Sequence, residues 1–90
     1  MREERILVIN EVGLHARPAA VFVRMASQYK CAIQVRNNTL GSEWVNAKSI
    51  LSVLTLGVER DQEVALRLDG QDEDEAADAI LGLIQSDFAA

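Results

Sequence analysis

Apolar residues change their spacing several times along this chain, and each change marks a boundary between elements. Arg5-Ile6-Leu7-Val8-Ile9-Asn10 is a β-rich apolar run, which predicts a first strand. Gly13 permits a sharp turn out of it. From Ala16 onward the period is helical. Ala19, Phe22, Ala26 and Tyr29 recur three or four residues apart, which predicts a helix from about Ala16 to Gln28 with that stripe facing the core. Ala20, Val23 and Arg24 fall on a different face, while Val21 and Met25 read as exposed with no assigned contact.

The period then returns to two. Ala32-Ile33-Gln34-Val35-Arg36 alternates, and Glu43-Trp44-Val45 forms a second short strand beyond the turn-like stretch Asn37 to Ser42, so the two pair as a hairpin. Trp44, the only tryptophan, is expected on the outer sheet face or the hairpin edge, in a packing role. Ser49 resembles an N-cap and Gly57 a C′ stop, which predicts a short helix between them. Ile50, Leu51, Val53, Leu54 and Leu56 cannot all be buried by two turns of helix, and the surplus suggests a docking patch. Val64-Ala65-Leu66-Arg67-Leu68 alternates again, Asp69-Gly70 turns, and a last helix runs from about Asp72 to Ser86. Asp72 and Glu75 have capping-box spacing, and Ala76, Ala79, Ile80, Leu83 and Ile84 form the expected buried stripe.

The order strand, helix, strand, strand, short helix, strand, helix predicts an α+β fold: an open-faced β-sandwich, with an antiparallel sheet carrying three helices on one face. Ninety residues with 49% apolar composition suffice for one core, so residues 1–90 are read as a single domain.

Charge and cysteine usage narrow the partners. The net charge of −5 argues against nucleic acid or an anionic membrane as main partner, since both call for a basic patch. No apolar run is long enough for a membrane span or a signal h-region, so the expected location is the cytoplasm, with no membrane insertion. Cys31 is the only cysteine and His15 the only histidine, which makes an internal disulfide impossible and a zinc site implausible. The acidic run Asp69 to Asp78 lacks the alternating ligands and central glycine of a calcium loop; it reads as capping and solvated charge. No metal and no cofactor are expected.

The candidate chemistry sits in Gly13-Leu14-His15-Ala16-Arg17-Pro18-Ala19-Ala20. Pro18 suits a first helical turn, where its missing N–H costs nothing and its fixed φ already fits. The amides of Ala16 and Arg17 then have no intrahelical acceptor, and the helix dipole adds partial positive charge at the same end. Arg17 contributes a fork of donors suited to phosphate oxygens. His15 supplies a nitrogen nucleophile able to form a covalent intermediate. Nucleophile and anion cradle coincide. No general base, metal cluster or Gly-rich nucleotide loop is apparent nearby in sequence.

Gly-Leu-His-Ala-Arg-Pro at Gly13 to Pro18, Asn-Ala-Lys-Ser-Ile at Asn46 to Ile50, Leu56-Gly57, and Asp-Gly-x-Asp-Glu at Asp69 to Glu73 together resemble the histidine-containing phosphocarrier (HPr) family of the bacterial phosphoenolpyruvate-dependent sugar phosphotransferase system (PTS). The resemblance runs nearly end to end. It implies the strand order first, fourth, second, third. It also implies that His15 accepts a phosphoryl group on Nδ1 from enzyme I and passes it to sugar-specific A components. Arg17 would stabilise that group, the Ala16 and Arg17 amides would contact its oxygens, and Pro18 would fix the helix start. Such a chain is a carrier rather than an enzyme, and a monomer is expected.

Ser49 matches the family's regulatory serine, the target in many bacteria of an ATP-dependent serine kinase, although an ordinary N-cap accounts for a serine there equally well. Ala20, Val23, Arg24, Ile50, Leu51 and Leu54 map onto the family's docking surface. Leu51 and Leu54 stand where many regulated members have methionine, and Ser52 where they often have glycine, which bears on partner choice. The loop 37–42 makes the hairpin a few residues longer than is typical. Alternative readings are a carrier of the nitrogen-related regulatory branch, a corepressor of a catabolite-control transcription factor acting through phosphorylated Ser49, and a stand-alone hydrolase using His15.

Overall fold

Alternating residues put an apolar face on the two central strands, and that face is the floor of the core. The computed structural model describes residues 1–88, so the last two residues of the 1–90 span lie outside the described region. Its elements are β1 (Arg2–Leu7), α1 (Ala16–Ala26), β2 (Ala32–Asn37), β3 (Val45–Asn46), α2 (Ile50–Leu54), β4 (Glu63–Asp69) and α3 (Glu73–Gln85). The sheet is antiparallel in the order β1-β4-β2-β3, the order that the resemblance implies. Val64, Leu66 and Leu68 of the central β4 are fully buried, as is Val35 of β2. Above them pack Ala19, Phe22 and Ala26 from α1, Val53 from α2, and Ala76, Ala77, Ile80 and Ile84 from α3.

Several boundaries differ from the sequence reading. β1 begins at Arg2 and ends at Leu7, whereas the apolar run suggested Arg5 to Asn10. Its inward positions include Arg2 and Glu4, polar residues that periodicity alone assigns to solvent. Arg2 is tolerated there because its guanidinium reaches Glu4 at 2.8 Å, Asp74 at 3.2 Å and Asp78 at 3.1 Å, so each donor finds a carboxylate. Asn10 has left the strand and is buried, donating from Nδ2 to the Gly13 carbonyl at 2.7 Å. Helix α1 ends at Ala26, two residues before the expected Gln28. Met25 is half-buried against the core, which corrects its reading as exposed; Val21 is half-buried too.

The hairpin's second strand contains only Val45 and Asn46, so Glu43 and Trp44 precede it. Trp44 lies beneath the arginines of the open sheet face, 4.1 Å from the Arg67 guanidinium carbon and 5.6 Å from that of Arg36. These are cation–π contacts. The loop 37–42 is organised by the buried Asn37, which donates from Nδ2 to Leu56 O and Gln62 Oε1 and accepts the Leu40 N–H at Oδ1.

Helix α3 begins at Glu73 with Asp72 as N-cap residue, but the expected capping box with Glu75 does not form. The Asp72 carboxylate instead accepts the backbone N–H groups of Lys30 and Cys31, each at 2.9 Å. Glu73 reaches back to the Gly70 N–H at 3.1 Å. A tertiary pair of donors has displaced a local one, because the two amides entering β2 have no other acceptor as good as a carboxylate. The buried stripe of α3 includes Ala77, with Ala79 only half-buried.

Candidate functional site

The loop between β1 and α1 is shaped by one close approach. Gly13 has φ +62°, and a Cβ there would lie 2.2 Å from the Val58 carbonyl oxygen, so only glycine fits. Leu14 N–H donates to the same carbonyl at 3.0 Å and its side chain is buried. The next residue, His15, is therefore delivered to the start of α1 by a fixed backbone.

His15 is the N-cap residue, with an extended backbone (φ −80°, ψ −173°), and its carbonyl accepts the Ala19 N–H at 2.9 Å. Its side chain makes no capping hydrogen bond, and the first turn contains no acidic residue. The amides of Ala16 and Arg17 are thus left without an intrahelical or side-chain acceptor, and Pro18 has none to satisfy. The imidazole is 60% exposed. Arg17 is exposed and Pro18 buried. Arg17 and Arg24 form no ion pair among the described residues.

A carboxylate that local sequence reasoning missed stands opposite. Glu59 Oε1 lies 3.7 Å from His15 Nε2. Nothing in sequence pointed to it, because it comes from the loop before β4, which the hydrogen bonds of Leu14 to Val58 and of Val8 to Asp61 and Gln62 bring here.

Helices α1 and α2 pack side by side. Ser49 caps α2 as expected, its Oγ accepting the Ser52 N–H at 3.4 Å. Beyond it, Leu51 is 75% exposed, with Leu54 at 39% and Ile50 at 37%. Val53 alone of this helix is buried. Ala20 and Val23 are half-buried and Arg24 exposed. Two adjacent helices therefore present an apolar ridge edged by arginines. Lys48 is not part of that edge, because its ammonium donates to the Tyr29 carbonyl at 2.6 Å. No helix of the described residues is long and apolar enough to cross a membrane.

A family model described as "PTS HPr component phosphorylation site" matches residues 2–86. The chain belongs to the PTS HPr family. It is 40% identical over 83 residues to the phosphocarrier protein HPr of Pseudomonas aeruginosa, covering 92% of this chain and 90% of the relative. It is 36% identical over 84 residues to the phosphocarrier protein HPr of Lysinibacillus sphaericus, covering 93% and 92%. The crystal structure of HPr-C-His from Thermoanaerobacter tengcongensis superposes with a TM-score of 0.93 at 43% identity, covering all of this chain and 98% of that one. The HPr fold thus spans all of the described elements.

Proposed function

We propose that this chain is a PTS phosphocarrier in which His15 takes a phosphoryl group from enzyme I and hands it to sugar-specific A components. The observation that carries this reading is the uncapped start of α1, where an exposed imidazole adjoins two unclaimed amides and the free guanidinium of Arg17. In the acceptance step the Nδ1 lone pair forms the new N–P bond while the bond between phosphorus and its donor atom breaks, and the bonding pair stays with the donor. The amides and Arg17 offer donors to the phosphoryl oxygens as charge redistributes. Their exposure keeps the stabilisation moderate, which suits a group that must leave again. The chain acts as an intermediate with partner enzymes rather than as a catalyst of its own, in the cytoplasm where the phosphoenolpyruvate-charged donor resides.

The ridge of Ala20, Val23, Ile50, Leu51 and Leu54, with Arg24 beside it, supplies the docking surface for both classes of partner. Its apolar centre and cationic edge suit an apolar surface bordered by carboxylates. Ser49 borders that ridge, so a phosphate added there by a serine kinase would set negative charge against such a partner. Incubation with enzyme I and radiolabelled phosphoenolpyruvate tests the reading: acid-labile, alkali-stable label is expected on the wild type and absent from His15→Ala. No label on the wild type with competent enzyme I would overturn it.

A further inference from the structure

We propose that Glu59 is a positioning residue for His15, biasing the neutral imidazole toward the Nε2–H tautomer and so leaving the lone pair on Nδ1. The proposal rests on the reading of His15 as the phosphoryl acceptor and adds a device that selects the reactive nitrogen.

The two residues face each other across a locked pair of loops. Leu14 and Val58, their immediate neighbours, are joined by a backbone hydrogen bond, and Gly13 allows the Val58 carbonyl to approach where any Cβ would collide. Glu59 is pinned on its own side as well. Its N–H donates to Gln62 Oε1 at 2.9 Å, and its carbonyl accepts the Gln62 N–H at 3.1 Å. Gln62 is anchored in turn by Asn37 Nδ2 at 3.0 Å and by the Val8 N–H at 2.9 Å. Both backbones are therefore fixed relative to one another, and the remaining freedom lies in the exposed side chains of His15 and Glu59. Among the described residues its carboxylate has no ion-pair partner except His15; the adjacent Arg60 lies against Asp61 instead.

A neutral imidazole carries one N–H and one lone pair, and a carboxylate facing one nitrogen favours the proton there. At 3.7 Å the contact is longer than a hydrogen bond, so its effect is an electrostatic bias rather than a fixed bond. Once Nδ1 has formed its bond to phosphorus and the donor's bond has broken, Nε2 keeps its proton and the ring gains positive charge. The same carboxylate then opposes that charge, so Glu59 acts in the same direction before and after transfer.

The test compares wild type, Glu59→Gln and Glu59→Lys. Nitrogen-15 chemical shifts of His15 in mildly alkaline buffer report the tautomer ratio of the unphosphorylated protein without any partner. The Nε2–H to Nδ1–H ratio should fall about threefold in Glu59→Gln, as for an exposed pair of this kind, and further in Glu59→Lys. The rate of phosphoryl acceptance should fall by a comparable factor, with backbone amide shifts outside the two loops unchanged. An unchanged ratio in both variants would overturn the proposal, as would a changed ratio with no change in rate. Failure of the wild type to take label on His15 would instead count against the carrier reading, which the tautomer measurement does not depend on.

Discussion

Helices α1 and α3 begin in opposite ways, although the physics at their N-termini is the same. Each start exposes amides without intrahelical acceptors and the positive end of a helix dipole. At α3 the chain supplies its own anions: Glu73, Asp74 and Glu75 occupy the first turn, and Glu73 reaches back to Gly70 N–H. Those carboxylates are held further by Arg2 and the N-terminal amine. At α1 the first turn has no acid, the N-cap side chain makes no capping bond, and a cation stands at Arg17. One start is closed by the chain's own acids, and the other carries none. The contrast teaches that two helix starts with the same unsatisfied amides are told apart by the charges the chain places, or withholds, beside them.

The comparison breaks most completely at the nucleophile. His15→Ala should abolish phosphoryl acceptance from enzyme I while leaving thermal unfolding nearly unchanged, since the imidazole is mostly exposed and makes no capping bond. Arg17→Ala removes the free guanidinium and should slow acceptance about 10- to 100-fold, the worth of one or two charge-assisted hydrogen bonds, as read by the rate of label uptake. Ala16→Asp would make α1 resemble α3. It should add about 0.3–1 kcal/mol to helix stability yet slow acceptance about tenfold, because a resident carboxylate repels the incoming phosphoryl group.

At the closed end, Asp72→Asn should lower the unfolding temperature by weakening the tie from α3 to Lys30 and Cys31. Backbone N–H donors, that of Lys30 foremost, hold the Asp72 carboxyl below its ordinary 3.8. Its contribution is therefore complete above that value and is lost as pH falls through the lower folded value. The stability difference between wild type and variant should accordingly vanish in strong acid, as checked by denaturation at a series of pH values. The smallest effect concerns Cys31, whose thiol is pushed up to about 11 by burial first and by Asp72 second. Alkylation of the native thiol should shift to lower pH in the variant, yet remain slower than that of an ordinary cysteine because burial persists.

The open helix start was legible in the sequence because all of its parts are local. Glycine, histidine, arginine and proline at Gly13, His15, Arg17 and Pro18 each act within one turn of the others. The Ser49 cap was legible for the same reason. The capping box at Asp72 had the right spacing yet failed, because two amides at the start of β2 claimed the carboxylate. β1 was misplaced because Arg2 and Glu4 look solvent-directed until the acids of α3 are brought over them.

Sequence alone thus determined the element types, most of the core stripe and the placement of His15 at the helix start beside its adjoining donors, since periodicity and capping are set by neighbours along the chain. Only the tertiary structure decided that Glu59 faces His15, that Arg2 turns inward, and that Trp44 lies under Arg67. Those pairings join residues far apart in sequence, and their partners are chosen by strand register and loop contact rather than by any local spacing.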